Sequence, residues 1–300
     1  MPRARDTARH EALVDHLEGL WGDHGARILD CRGCGFGFVH PYVGGDERFY
    51  ALANAADPHY PADRWEFTET LDALESMDPE PEALAEVGAG KGAFLDKVRS
   101  RGLRCRLTAA DFDAGAVAAM QAKGIDAYSG SLAEVADRGP FDVVCLFHTL
   151  EHMADLDYAF TAIRRSVTSR GSIFVSVPNH DWTKLQESLT QFLDMPPNHV
   201  GRWTARAFEA VADRHGLRIV DQRLAPVSVP SQAWLLSLYK VNARAFDPGT
   251  LAHRILAVRG RPVRGPAKAA LALLYYPRLA SAGRRYLSPV RWVHMTPASA

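Results

Sequence analysis

The chain has 300 residues, 47% of them hydrophobic and 23% charged, which suits a protein with a packed core and excludes a disordered or collagen-like polymer. Its 35 Lys and Arg balance 35 Asp and Glu, so the molecule as a whole offers no electrostatic case for nucleic acid. The 4 cysteines are too few for a disulfide framework, and the longest apolar run, AALALLYY at 269–276, falls far short of the roughly 20 residues a membrane helix needs.

Apolar positions at Leu13, Leu17, Leu20 and Trp21 predict a short amphipathic helix over 8–21. The opening residues lack an apolar core of the signal-peptide kind, so a reduced, cytoplasmic setting is expected. Two strand-like pieces flank the knuckle Cys31-Arg32-Gly33-Cys34, and a Tyr/Pro-rich stretch follows to about 62. From 65 the pattern alternates. Strands are expected in EALAEVG, RCRLTAAD, GIDAYSG, FDVVCLF, GSIFVSVP and LRIVDQRL. Helices are expected between them at 91–101, 114–123, 153–168 and in TARAFEAVADRHG, where Gly216 is the stop. Strands alternating with helices of about a dozen residues imply right-handed crossovers and an α/β, mostly parallel, doubly wound sheet with helices on both faces. The tail, roughly 235–287, reads as helical and basic: from Lys240 onward eleven Lys and Arg face one acid, Asp247. PVRWVHM at 289–295 is a candidate last strand returning to the sheet. Three regions are thus expected: 1–64, 65–225 and 226–300.

In such sheets ligands bind beyond the carboxyl ends of the strands, where strand order reverses. The turn Gly88-Ala89-Gly90-Lys91-Gly92 is the first strand-to-helix connection. A triphosphate loop would need four residues before Gly-Lys and then Ser or Thr, whereas Lys91 is followed by Gly92. The dinucleotide form G-x-G-x-x-G/A is met loosely by Gly88, Gly90 and Ala93, with Asp111 about 20 residues on. Glu86 argues the other way: a carboxylate at the strand end repels a pyrophosphate and attracts an ammonium. A nucleoside joined to an amino acid, with no phosphate, describes S-adenosyl-L-methionine.

EVGAGKGAFL resembles the first motif of class I S-adenosylmethionine-dependent methyltransferases. AADFD follows as the second, FDVVCLFHTLEHM as the fourth, and VTSRGSIFVSVPN as the strand that closes the core, in order over about 65–225. The resemblance implies a Rossmann-like doubly wound sheet of that type. It implies backbone of Gly88, Gly90 and Gly92 against the methionine portion, with Glu86 on its ammonium directly or through water. Asp111 would accept both ribose hydroxyls, Phe112 would cover the adenine, and Ser131 and Leu132 would lie beside the adenine ring. The competing role for Asp111 is a helix N-cap, which Asp113 fills better.

His148-Thr149-Leu150-Glu151-His152 also spells the inverted zinc-protease signature, with two histidines four apart on an expected helix. Its position at the end of a buried strand, where methyltransferases carry Leu-Glu-His, favours the transferase. Ubiquinone-pathway and small-RNA O-methyltransferases resemble this segment but carry Glu-x-x-Glu-His, which holds a divalent cation. His148 replaces the first Glu; that suits a hard ion poorly, while a softer one would tolerate imidazole. The expectation is no metal, with Glu151 and His152 capping and bracing the start of the next helix. Methyl transfer needs in-line alignment and, for a protonated acceptor, a base tuned near neutral pH. His148 is the first candidate for that base and His199 the second, ahead of His180, with Trp203 as an acceptor-facing aromatic. Any one of these histidines could equally be a surface or packing residue.

Cys31 and Cys34 have zinc-knuckle spacing but no second pair. The segment is similar to a methyltransferase branch with an N-terminal zinc ribbon whose first half is lost here, so a degenerate, metal-free knuckle is expected. The basic tail has two readings: it lies on an anionic membrane surface, or it pairs with the acidic remainder of the chain or of a second copy, which needs no further partner. Taken together, the expected function is methyl transfer to a small molecule such as a sugar, nucleotide-sugar or secondary metabolite. The alternatives are a quinone-type or RNA O-methyltransferase with a divalent metal at 148–152, and a non-catalytic binding module that keeps the fold.

Overall fold

The computed structural model describes residues 4–22, 25–53, 62–188, 195–245, 247–256 and 264–298. Part of the Tyr/Pro-rich stretch, 54–61, and part of the basic tail, 257–263, lie outside the described residues. The chain divides into two compact units, one of 1–177, 195–223 and 291–300, the other of 178–194 and 224–290.

The first unit begins with α1 (Ala4–Trp21), β1 (Arg27–Asp30), β2 (Gly37–His40), α2 (Glu47–Ala53) and α3 (Trp65–Glu75). The alternating part follows as β3 (Ala83–Val87), α4 (Ala93–Ser100), β4 (Arg106–Asp111), α5 (Ala114–Ala122), β5 (Asp126–Ser129), α6 (Leu132–Arg138) and β6 (Phe141–Phe147). A 3-10 turn, Leu150–His152, leads to α7 (Leu156–Ser166) and β7 (Val167–Pro178). In the second unit α8 (His180–Ser188) comes next. The chain then returns through β8 (Gly201–Arg202), α9 (Ala205–Arg214) and β9 (Leu217–Leu224). Five helices of the second unit follow: α10 (Val229–Ala245), α11 (Leu251–Leu256), α12 (Arg264–Ala272), α13 (Tyr276–Ala280) and α14 (Arg284–Leu287). The last element, β10 (Val290–Pro297), closes the sheet.

Seven strands form one sheet in the order β5-β4-β3-β6-β7-β10-β9, with β3–β4, β3–β6, β4–β5 and β6–β7 paired in parallel. Its central strands are almost unbroken apolar runs because helices cover both faces. Period-two alternation splits them between two cores. Ala85, Val87, Val144, Leu146, Ile173 and Val175 pack with Phe160 and Ile163 of α7 and Phe208 of α9. Leu84, Val143, Cys145 and Phe174 pack with Phe67 and Leu71 of α3, Phe94 of α4 and Met120 of α5. The chain leaves β3 for β4 and β5 on one side and returns to β6 on the other. Strand order therefore reverses between β3 and β6, and a Rossmann-like sheet opens its ligand crevice at that point.

β10 sits between β7 and β9, and Trp292 Nε1–H donates to Thr70 Oγ1 of α3 at 2.9 Å, tying that helix to the strand. A small antiparallel sheet, β1-β2-β8, carries the Cys31–Cys34 knuckle, where Gly35 N–H donates to Cys31 O at 2.8 Å. Phe36 of the knuckle meets Trp203 edge-on at 4.8 Å, and Trp203 stacks on Phe208 at 4.6 Å. Trp203 is 1% exposed. It is a core residue, not the acceptor-facing aromatic expected from the sequence, because the small sheet and α9 enclose it.

In the second unit Trp182, Leu236, Leu279 and Leu287 form one core, and Val241, Leu256, Leu271 and Ala272 another. Among the described residues no helix is long and apolar enough to cross a membrane.

Candidate active site

β3 ends at Val87 and the chain turns through Gly88 at φ 72° and Gly92 at φ 77°. A side chain at Gly88 would also collide with Thr149 Oγ1 beyond the end of β6, so both backbone angle and close approach demand glycine there. Asp111, at the tip of β4, holds this turn: its Oδ2 accepts from Gly90 N–H at 2.7 Å and its Oδ1 from Asp113 N–H at 2.9 Å. Each oxygen keeps a second lone pair for a ligand. The helix cap is indeed Asp113, which accepts from Gly115 N–H and Ala116 N–H of α5.

Glu86 is 2% exposed and, among the described residues, its Oε2 has no hydrogen-bond partner. Burial, and then the negative charge of Asp111, push its carboxyl well above the ordinary carboxylate range, against a smaller opposing pull from Arg64. A buried acid left unpaired costs about 1–3 kcal/mol or more, which a cationic partner removes. Phe112 stands 82% exposed beside Asp111. Ser131 is committed to a capping box at the start of α6, where Glu134 Oε2 accepts from its N–H at 2.6 Å, and the Leu132 side chain is buried in the core. What this pair can offer a ligand is backbone.

On the other lip of the crevice, β6 is followed by His148, whose N–H donates to Ser176 O at 2.9 Å. Among the described residues it is the one non-glycine with positive φ, 51°, a conformation that costs on the order of 1–3 kcal/mol. The offset is visible. His148 Nε2 lies 2.9 Å from Glu66 Oε1 of α3, and Nδ1 lies 3.3 Å from Glu151 Oε1. Burial alone would lower its pKa, but the bonds to Glu151 and Glu66 outweigh it and raise it to about 9. Glu151, which burial would raise, is pulled down to about 2 by the same bond, and Glu66 is also lowered. An imidazolium clamped between two carboxylates has no lone pair to take a proton. His148, the first candidate for the base, thus has both ring nitrogens engaged by carboxylates, which favours its protonated form.

Glu151 and His152 belong to the 3-10 turn and do not cap α7; Asp155 does, accepting from Tyr158 N–H at 2.9 Å. Instead, Val200 N–H donates to Glu151 O at 2.9 Å and brings the preceding residues onto the turn. His152 Nδ1 lies 2.6 Å from Asn198 O, and Tyr50 Oη is 3.3 Å from the same nitrogen. Burial chiefly lowers the His152 pKa. The rings of His152 and His199 meet edge to face at 4.7 Å. Ligating atoms of Glu151, His152 and His199 all lie within 4.8 Å of one another. His180 opens α8 in the second unit, and Cys31 and Cys34 are free thiols.

Glu66, Arg64, Tyr50 and Asn198 were not legible as site residues. Glu66 is an acid in the first turn of a helix, an ordinary place for one, and nothing local announces a partner 82 residues away.

A family model described as a methyltransferase domain matches residues 59–222, more than half of the chain. Among solved structures the chain is similar to a SAM-dependent methyltransferase from Archaeoglobus fulgidus, at 13% identity and TM-score 0.48, covering 77% of this chain and 94% of that one. Coclaurine N-methyltransferase bound to N-methylheliamine and SAH gives 12% identity and TM-score 0.49, over 99% and 88% of the two chains. The plantazolicin methyltransferase BamL in complex with a triazolic desmethylPZN analog and SAH gives 13% and 0.46, over 78% and 83%. No curated protein matches the chain.

Proposed function

The chain belongs to the methyltransferase domain family, and from that premise we propose transfer of a methyl group to a small-molecule acceptor in the crevice between β3 and β6. It is a class I, S-adenosylmethionine-dependent enzyme. The bound cofactor supplies an electrophilic methyl group on a sulfonium that leaves as a neutral thioether.

The observation that carries the cofactor assignment is the buried, unpartnered Glu86 Oε2 beside Asp111. Two acids at a strand-order reversal suit a cationic, phosphate-free nucleoside and repel a pyrophosphate. In this reading Glu86 binds the ammonium, and the backbone of Gly88, Gly90 and Gly92 lies along the methionine portion. Asp111 takes the ribose diol, Phe112 covers the adenine, and Ser131 and Leu132 offer backbone at the ring edge. Arg64, close enough to act electrostatically on Glu86, is the counterpart for the ligand's carboxylate.

On the acceptor side His148 is a positioning residue that joins α3 to the turn after β6. The acceptor's proton is lost at the cluster of Glu151, His152 and His199, with His199 the general base where the cluster acts unaided. The acceptor class (sugar, nucleotide-sugar or other secondary metabolite) rests on the likeness of the knuckle to ribbon-bearing methyltransferases. Calorimetric titration with S-adenosylhomocysteine tests the assignment: the full chain binds it, and Glu86→Gln weakens binding by at least tenfold. Equal affinity in the variant would remove Glu86 from the role.

A further inference from the structure

Of the twelve large hydrophobic side chains that stand exposed among the described residues, six belong to the second unit, which is under a third of the chain. Four of them gather on α11 and at the end of α12. The α11 sequence, Leu-Ala-His-Arg-Ile-Leu, is apolar on two sides. Ala252 and Leu256 pack with Val241, Leu271 and Ala272. Leu251 and Ile255, one turn apart, point outward and are 58% and 40% exposed. Leu273 and Leu274, in the turn between α12 and α13, are 60% and 69% exposed. Leu251 and Leu274 share one recess of about 260 Å³ with Leu271, Tyr275 and Arg244, so the two outer pairs meet. Single exposed leucines need no explanation, whereas several converging around an apolar recess mark an interaction surface.

The cations decide the partner. Residues 224–290 carry ten Lys and Arg against one acid, Asp247. Asp247 pairs with Arg244 at 3.5 Å, and the exposed Arg254 and Arg278 have no acid of this segment left to pair with. Lys240 Nζ donates to Ser188 O at 2.9 Å. Burial, and then the charges of Arg244 and Arg278, lower the Lys240 pKa, so these three cations crowd one another. An external anion relieves that repulsion.

We propose that Leu251, Ile255, Leu273 and Leu274, with Arg244, Arg254 and Arg278 beside them, dock the protein reversibly on an anionic bilayer surface. Aliphatic side chains enter the acyl boundary while the arginines meet charged headgroups, and the two contributions together hold what neither holds alone. Nucleic acid fits less well: bases stack on aromatic rings, and the four outward residues are aliphatic. A second copy docking through the same face would set cation against cation. The inference rests on the second unit alone and holds whatever the methyl acceptor is.

The test floats the full-length protein with vesicles of phosphatidylcholine alone and with vesicles containing about one-third phosphatidylglycerol. S-Adenosylhomocysteine affinity and melting profile are measured on the same samples. The expected result is flotation with the anionic vesicles and not with the neutral ones, weakening as salt is raised. Leu273→Gln with Leu274→Gln weakens vesicle binding by about tenfold, and so does Arg254→Gln with Arg278→Gln. Both leave S-adenosylhomocysteine affinity and melting unchanged, because all four side chains are exposed. Leu251→Gln with Ile255→Gln repeats the apolar loss on a different helix. Absence of flotation with anionic vesicles overturns the proposal. Flotation that both leucine and isoleucine pairs leave unchanged also overturns it, since that is adsorption by charge alone. Self-association or RNA binding in place of flotation, lost in the same variants, overturns it too and assigns the face to a second copy or to nucleic acid.

Discussion

Single side chains at the crevice carry charge states that make distinct predictions. Burial, and then the charge of Asp111, push the Glu86 carboxyl up, and an ammonium bound against it favours the ionised form, so binding releases a proton wherever the free carboxyl carries one. Cofactor affinity therefore rises with pH up to the raised Glu86 pKa, tenfold per unit, and calorimetry in buffers of different ionisation heat detects the proton released. Glu86→Gln abolishes both signals; a pH-independent wild-type affinity contradicts the account. His148 runs the opposite way. Its pKa is raised from 6.5 to about 9, so the stability it contributes is complete below pH 6.5 and is lost as pH climbs through about 9. Thermal melts across that window should show wild type losing its advantage over His148→Gln as the imidazolium discharges. A constant difference would mean that the imidazole is neutral throughout.

Elements near in sequence were legible; junctions between distant ones were not. The strands around Glu86 and Cys145 show as apolar runs, and the glycine turn shows by the residue types it requires. The turn at 150–152 was different. HTLEH has the spacing of an α-helix face, yet the chain forms a single 3-10 turn, because Val200 binds the Glu151 carbonyl and Asp155 starts α7 instead. That contact, 49 residues apart, places His199 beside His152, and no local pattern encodes it. Trp203 was misjudged for the same reason: its aromatic character was plain, but the knuckle that buries it lies far upstream. Trp203→Ala should accordingly cost about 3–5 kcal/mol in chemical denaturation with little change in cofactor affinity per folded molecule. A stable variant with weakened acceptor binding would restore the acceptor-facing role.

Across the whole molecule a net charge of zero hides a division. The second unit carries eleven Lys and Arg against four Asp and Glu, so the first is acidic by the same margin of seven. An acidic unit that opens its crevice between Glu86 and Asp111 favours a cation and disfavours polyanions. That sign separates this sheet from dinucleotide-binding sheets of similar topology. A ligand that binds only the folded state at a hundred times its Kd adds about 2.7 kcal/mol of stability, enough to read as a thermal shift. The most direct measurement is a side-by-side titration of the full chain with S-adenosylhomocysteine and with NAD. Saturable one-to-one binding of S-adenosylhomocysteine with a rise in melting temperature, and no response to NAD, is the predicted result. Saturable NAD binding, or indifference to S-adenosylhomocysteine, would contradict it.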